Sequence, residues 1–441
     1  MSTPRTARRA WVPADSEQLV SRIATETASS EPDAVADRIG ALIDTNTRIH
    51  ERECINLNPA ANVMSPAAEA AMATSLGTRP SLGHPGAKYE MGLEAVESIE
   101  VIAAELAAEV FDAPFAEVRI GSGALANLYA FMATCRPGDP IIVPPGSIGG
   151  HVTHNVAGAA GLYGLDIHEA PVDAGRYTVD VERLRELANE VRPKLITIGS
   201  SLNLTHHPVG AVRAIADDVG AKVLFDAAHL SGLIAGGAWP NPIAEGAHVM
   251  TMSTYKSLAG PPSGLLVTSD AAIAERVDAI AFPGLTANFD AANTAALALT
   301  LLDWQRVGRE HAAEMTATAT ALATHLLDAG LPVVIADDRP TRSHAFAVRA
   351  DATNGDGHAL AQRLRPAGLL TSGIGLPDDA GDLMGAIRLG TNEMVRWGMT
   401  SGDMATVADF VVRAVSGEEP ADTARDVQTF RERFDTVHFC R

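Results

Sequence analysis

The chain has 441 residues, with 34 Lys and Arg against 54 Asp and Glu, and so a formal charge of −20. That length accommodates one large domain and a smaller one, and a hydrophobic fraction of 46% excludes wholesale disorder. So negative a chain excludes a general affinity for nucleic acid or anionic membrane. Cys54, Cys135 and Cys440 lack the spacing of a disulfide framework or a metal site and fit the reducing cytoplasm.

In chain order, no apolar segment follows Arg5, Arg8 and Arg9, so a targeting signal is not expected. Residues 1–55 read as an N-terminal helical arm, with apolar residues at helical spacing in Ser16–Thr27 and Asp33–Glu53. Residues 56–315 read as a large domain in which amphipathic helices alternate with short apolar strands. The helices are Glu94–Phe111, Ala124–Cys135, Val181–Val191 and Ala211–Val219. The strands are Glu117–Ile120, Pro140–Val143, Leu195–Ile198, Lys222–Phe225, His248–Met252 and Gly264–Thr268. Such alternation predicts a mostly parallel sheet covered on both faces.

The longest run without Asp, Glu, Lys or Arg, Pro140 to Leu165, contains Pro144, Pro145, His151 and His154, which a lipid-facing helix would not carry together. A long helix, Ala291–Gly330, leads into a smaller α+β domain, residues 316–441. There the strands are Leu331–Ile335, His344–Val348 and Ala386–Leu389, and the helices Gly357–Leu364 and Ser401–Ala414. Glu418 to Ala424 reads as a loop before a terminal helix.

The chemistry concentrates in Ala221–Gly264. The strand Lys222–Phe225 ends in Asp226-Ala-Ala-His229, and Lys256 follows the next apolar strand. Ligands gather at the carboxyl ends of parallel strands, which places both residues on one rim. An acid and a lysine there point to pyridoxal phosphate, with the lysine as Schiff-base partner and the acid on the pyridine nitrogen. An ordinary exposed lysine and a strand-end aspartate would show the same spacing. Ile120-Gly-Ser-Gly-Ala-Leu-Ala-Asn127 is a Gly-rich turn opening a helix, suited to a phosphate, but it is neither GxGxxG nor a Walker loop. Arg388 lies inside a strand of the small domain, where it pairs structurally or meets a substrate carboxylate.

Together with Asn62-Val-Met-Ser-Pro66, Gly83-His-Pro-Gly-Ala-Lys-Tyr89, Gly149-Gly-His-Val-Thr-His154, Trp239-Pro-Asn-Pro242 and Arg388-Leu-Gly-Thr391, these segments resemble serine hydroxymethyltransferase from about Leu57 to Arg396. The resemblance implies an α/β chain of the pyridoxal-phosphate-dependent transferase fold (fold type I). Its large domain would carry a mostly parallel seven-stranded sheet, with a smaller α+β C-terminal domain. It implies Lys256 as the Schiff-base lysine and Asp226 as partner of the pyridine nitrogen. Ser122, Gly123, Ala124 and Ser253 would lie at the phosphate, and Ser201 and His229 beside the phenolic oxygen. His151 would stack on the ring, and Arg388 and Tyr89 would meet the substrate. The family builds each site across two subunits, so a homodimer or homotetramer is implied. No metal is expected.

The departures from the family pattern fall on the folate side. Leu82 stands where the family has a glutamate, Glu90 replaces the second of two tyrosines, and Pro80 replaces an earlier one. Ala60 replaces a serine near the substrate carboxylate, Tyr255 a histidine, and Pro262 an arginine. Ala287-Asn288 takes the place of Gly-Gly, and Thr371–Pro377 lacks the asparagine that would meet a pteridine. A pteridine amide left against leucine would lose about 1–3 kcal/mol per group.

The expectation is therefore an enzyme that makes or breaks the Cα–Cβ bond of a β-hydroxy-α-amino acid without tetrahydrofolate. It is similar in this to threonine transaldolases and would release or take up an aldehyde. Threonine, serine and 2-methylserine are candidate substrates, the last because Ala60 leaves room near Cα. Glu90, His151 and His154 are candidate bases for the hydroxyl proton. The competing expectations are a folate-dependent serine or 2-methylserine hydroxymethyltransferase and a cofactor-binding regulator without catalysis.

Overall fold

The computed structural model describes residues 5–379 and 383–440. The chain divides into two compact units, one ending at Cys54 and one beginning at Ile55. The first contains helices α1 (Ala14–Ala28) and α2 (Pro32–Thr47), the second of which starts on a proline and ends in a wider π-type turn, Arg48–Glu53. Proline suits the first helical position because its missing N–H has no intrahelical acceptor there.

The second unit is built on a seven-stranded sheet. Its strands are β1 (Phe115–Glu117), β2 (Pro140–Val143), β3 (Asp166–Glu169), β4 (Leu195–Ile198), β5 (Lys222–Asp226), β6 (Val249–Ser253) and β7 (Gly264–Thr268), in the spatial order β1-β7-β6-β5-β4-β2-β3. The five strands from β3 to β6 run parallel, and β7 and β1 add antiparallel pairs at the other edge. β4, β6 and β7 are buried along their whole length, as continuous apolar strands covered on both faces must be. Helices α3 (Glu94–Phe111), α4 (Gly123–Thr134), α5 (Val181–Val191) and α6 (Val209–Val219) connect or flank these strands.

The 38-residue helix α7 (Ala291–Asp328) then leads to a three-stranded antiparallel sheet of β8 (Ala345–Arg349), β9 (Ser372–Ile374) and β10 (Ala386–Gly390), ordered β8-β10-β9. Helices α8 (Gly357–Leu364), α9 (Asn392–Arg396), α10 (Met404–Ser416) and α11 (Pro420–Arg431) complete it. Ile55–Asn56 pairs in parallel with Leu369–Leu370, which brings the segment after residue 56 alongside the small sheet.

Three expected elements differ, and one strand, β3, is unexpected. The strand expected at Glu117–Ile120 is Phe115–Glu117, because the Glu117 carboxylate takes the Arg119 N–H at 2.8 Å. β3 escapes the periodicity because Asp-Ile-His-Glu is mostly polar, as an edge strand with half its surface in water can be. Leu331–Ile335 makes only an isolated bridge, Val333 to Val348, with Pro332 unable to donate. The loop expected over Glu418 to Ala424 is helix from Pro420 onward, again with proline at the first position.

Candidate active site

Asp226 ends β5 and Ser253 ends β6, so the parallel sheet delivers both to one edge, with Lys256 three residues further on. Lys256 is only 5% exposed. Its Nζ lies 3.1 Å from His229 Nε2, and its carbonyl accepts from Asn62 Nδ2 at 2.9 Å. Burial, assisted by the charge of Arg388 and opposed by Asp226, lowers its ammonium to about 8. About a tenth of it is then neutral at pH 7, against a negligible fraction for an exposed lysine.

Asp226 is buried and fully engaged. Oδ2 accepts from Asn127 Nδ2 at 2.9 Å and faces His154 Nε2 at 3.0 Å, while Oδ1 accepts the Ala228 N–H at 3.0 Å. Burial alone would raise its carboxyl, but His154, His151 and the Asn127 amide outweigh it and hold the carboxyl well below the usual range. This is a permanent buried anion, the partner a protonated ring nitrogen needs.

Asn127 organises the polar core of the site. Its Oδ1 accepts from Thr251 Oγ1 at 2.6 Å, and its Nδ2 serves both Asp226 and Thr153 Oγ1, the latter at 2.8 Å. Thr153 Oγ1 lies 2.8 Å from His151 Nδ1, which also accepts the Thr153 N–H at 3.3 Å. The His151 proton therefore sits on Nε2, and burial keeps the ring neutral despite Asp226.

At the start of α4, Ser122 Oγ caps the Leu125 N–H, while the N–H groups of Gly123 and Ala124 have no intrahelical acceptor. They and the positive helix end form an anion cradle beside Ser253. Glycine leaves room for this approach, since a Cβ at Gly123 would lie 2.0 Å from Ser253 Oγ and would have to displace it. A neighbouring cavity of about 640 Å³ is lined by Gly149, His151, Ser201, Ile374 and Arg388, among others. Arg388 projects from β10, donating from Nη1 to the Ser201 carbonyl at 2.9 Å and from Nε to Ser372 Oγ at 2.9 Å. It has no carboxylate partner among the described residues, and burial lowers it to about 10. A cation so placed calls for an anionic ligand.

The structure thus brings together Ser122, Gly123, Ala124, His151, Ser201, Asp226, His229, Ser253, Lys256 and Arg388. Within one chain no hydrogen bond among the described residues joins the side chain of Tyr89 or Glu90 to them. Both follow a hairpin of Gly83–His84 and Ala87–Lys88; Tyr89 is 77% exposed, and Glu90 Oε2 is enclosed without a hydrogen-bond partner. His154, a candidate base from the sequence, is only 1% exposed with its Nε2 on Asp226, and cannot reach a substrate hydroxyl. Asn127, Asn62, Thr153 and Ser372 went unnoticed in the sequence as site residues. Their signal is only that each lies in a motif segment, Asn127 at the end of the Gly-rich turn, Asn62 in Asn62–Pro66, Thr153 in Gly149–His154 and Ser372 in Thr371–Pro377.

A buried amine of lowered basicity, an ionised carboxylate behind it, a helix-end anion cradle and an unpaired arginine together fit pyridoxal phosphate and an amino-acid carboxylate. On this sheet they define a pyridoxal-phosphate-dependent enzyme of fold type I. Residues 34–411 match the family model for serine hydroxymethyltransferase. The chain is 59% identical to an alpha-methylserine aldolase of Variovorax paradoxus over 98% of both proteins. It is 53% identical to one of a Ralstonia species over 98% of this chain and 99% of that protein. To a serine hydroxymethyltransferase of Pyrobaculum arsenaticum it is 37% identical, over 90% of this chain and 92% of the other. The chain belongs to the serine hydroxymethyltransferase family, and it makes or breaks a Cα–Cβ bond of a β-hydroxy-α-amino acid. No described helix is long and apolar enough to cross a membrane.

Proposed function

We propose that this enzyme is a folate-independent aldolase that splits 2-methylserine into alanine and formaldehyde and runs the reverse addition. The reading is carried by the unpaired Arg388 beside Lys256, in a chain with Ala60 and Leu82 where the family has a serine and a glutamate. It agrees with the name of its 59% identical relatives, alpha-methylserine aldolase.

Pyridoxal phosphate, when bound, supplies the electron sink that takes up the pair from the breaking Cα–Cβ bond. Lys256 would hold it covalently, Asp226 would keep its ring nitrogen protonated, and Ser122, Gly123, Ala124 and Ser253 would hold its phosphate. Ser201 and His229 would flank its phenolic oxygen, and neutral His151 would stack on the ring. Arg388 binds the substrate carboxylate and so fixes rotation about the bond from the amine nitrogen to Cα. A base removes the β-hydroxyl proton, the hydroxymethyl carbon leaves as formaldehyde, and Cα takes a proton to give alanine. Lys256, once displaced, is an amine of lowered basicity that can deliver that proton to Cα.

We assign the hydroxyl base to Glu90 of a second copy of the chain, in a homodimer. The support is the unpartnered Glu90 carboxyl oxygen beside the exposed Tyr89 and Met91. The three cysteines, far apart in the sequence, agree with a cytoplasmic enzyme. The test is formaldehyde release from 2-methylserine by the holoenzyme, with and without tetrahydrofolate. Release at the same rate in both supports the reading. A large stimulation by tetrahydrofolate supports a folate-dependent hydroxymethyltransferase instead.

A further inference from the structure

Arg388 is steadied by a relay that leads away from the cavity. Its Nε donates to Ser372 Oγ at 2.9 Å, and Ser372 Oγ donates to Asn58 Oδ1 at 3.2 Å. The same Oδ1 accepts the Ala60 N–H at 3.1 Å. The direction is forced, because a guanidinium only donates and the serine has one proton to pass on. Two pairings assemble the relay across 314 residues of chain. Ser372 stands opposite Arg388 in the β9–β10 register, and Asn58 follows the Ile55–Asn56 pairing with Leu369–Leu370. With Nε committed to Ser372 and Nη1 to Ser201, Nη2 has no hydrogen-bond partner among the described residues.

We propose that Ser372 and Asn58 are positioning residues that aim Arg388 at the amino-acid carboxylate and tie that clamp to the backbone of Ala60. The relay acts on affinity rather than on bond breaking, because an arginine already held in one rotamer loses little freedom when its ligand arrives. The proposal rests on the reading of the substrate as an amino acid held by Arg388.

The experiment compares holoenzyme of the wild type, Ser372→Ala, Ser372→Thr and Asn58→Leu. Alanine is titrated against the cofactor absorbance, and 2-methylserine turnover is measured in parallel. Ser372→Ala and Asn58→Leu should weaken alanine binding and raise KM together by about tenfold, with kcat within about twofold, and Ser372→Thr should restore both. An unchanged alanine Kd in Ser372→Ala, with the wild type responding normally, overturns the relay alone. So does a fall in Tm or cofactor occupancy that Ser372→Thr shares, since it marks a merely structural role. A wild type that responds to no amino acid overturns the substrate reading and the relay together.

Discussion

The side-chain amide of Asn127 donates to the carboxylate of Asp226 at 2.9 Å from the helix that opens on the anion cradle. One residue therefore connects the N-terminus of α4 to the acid at the end of β5. Its second proton and its oxygen are used by Thr153 and Thr251, so every partner is left short when the amide is removed.

Asn127→Ala is expected to destabilise the protein by about 1–3 kcal/mol, because buried groups on Thr153, Thr251 and Asp226 lose their partner. It should also weaken cofactor binding, since Asp226 is left less firmly oriented. Denaturant midpoints and cofactor titration measure the two effects. A variant as stable as the wild type would mean that the network carries no strength.

Lys256 and Asp226 were legible in the sequence because strand ends in a parallel sheet are where ligand groups collect, and continuous apolar runs mark those strands. The Gly-rich turn was legible for a similar reason, as the opening of a helix at Gly123. The residues that hold these groups were not. Asn127 lies on the buried face of α4, where a sequence shows only an interruption of apolar periodicity. Ser372 and Asn58 meet only because two short strands pair over more than three hundred residues, a fact of topology that no local pattern carries. The exclusion of His154 as a base likewise depends on its burial against Asp226, which spacing does not express.

Acid should unfold the protein well above the carboxylate range. Burial lowers His207 and His248 to about 4 and His344 to about 3. His207 is held as a neutral ring between Thr178 Oγ1 at 3.0 Å and Asn203 Oδ1 at 2.7 Å, so a second proton would place an unpaired charge in a buried site. Between these values and the unfolded value near 6.5, the unfolded chain binds more protons than the folded one. The contribution is complete above about pH 6.5 and is lost as pH falls toward 4, at up to about 1.4 kcal/mol per pH unit for the fully buried His207 and His344 and less for the half-buried His248. Denaturant midpoints at pH 7 and pH 5 test this, and equal values at the two would refute it. His207→Gln should flatten the dependence while lowering stability at pH 7.

Ala60→Ser should shift preference from 2-methylserine toward serine. Ala60 sits on the turn held by Asn58, and a hydroxyl added there narrows the space beside Cα and brings a group that needs a partner. The ratio of kcat/KM for 2-methylserine over serine should fall by about tenfold, equivalent to about 1.4 kcal/mol of discrimination. An unchanged ratio would place the α-methyl group elsewhere in the cavity.

If Glu90 of one subunit serves Lys256 of another, two inactive variants should repair each other. Lys256→Ala lacks the amine and Glu90→Gln lacks the base, and each homodimer alone should lose at least ~100-fold in kcat, within the range of a missing general base or nucleophile. In a mixed dimer one site collects both defects and the other collects neither. Random reassortment makes half of the dimers mixed, so about a quarter of the wild-type activity should return on mixing and refolding together. The exposure of Tyr89 and Met91 on the single chain favours this arrangement, as does the lack of a hydrogen-bond partner for Glu90 Oε2 among the described residues. No recovery on mixing, with subunit exchange verified by mass, would place the base within the same chain and leave neutral His151 as the remaining candidate from the sequence. That outcome is disfavoured by the His151 tautomer, because a ring that already accepts at Nδ1 and carries its proton on Nε2 offers the substrate a donor rather than a base.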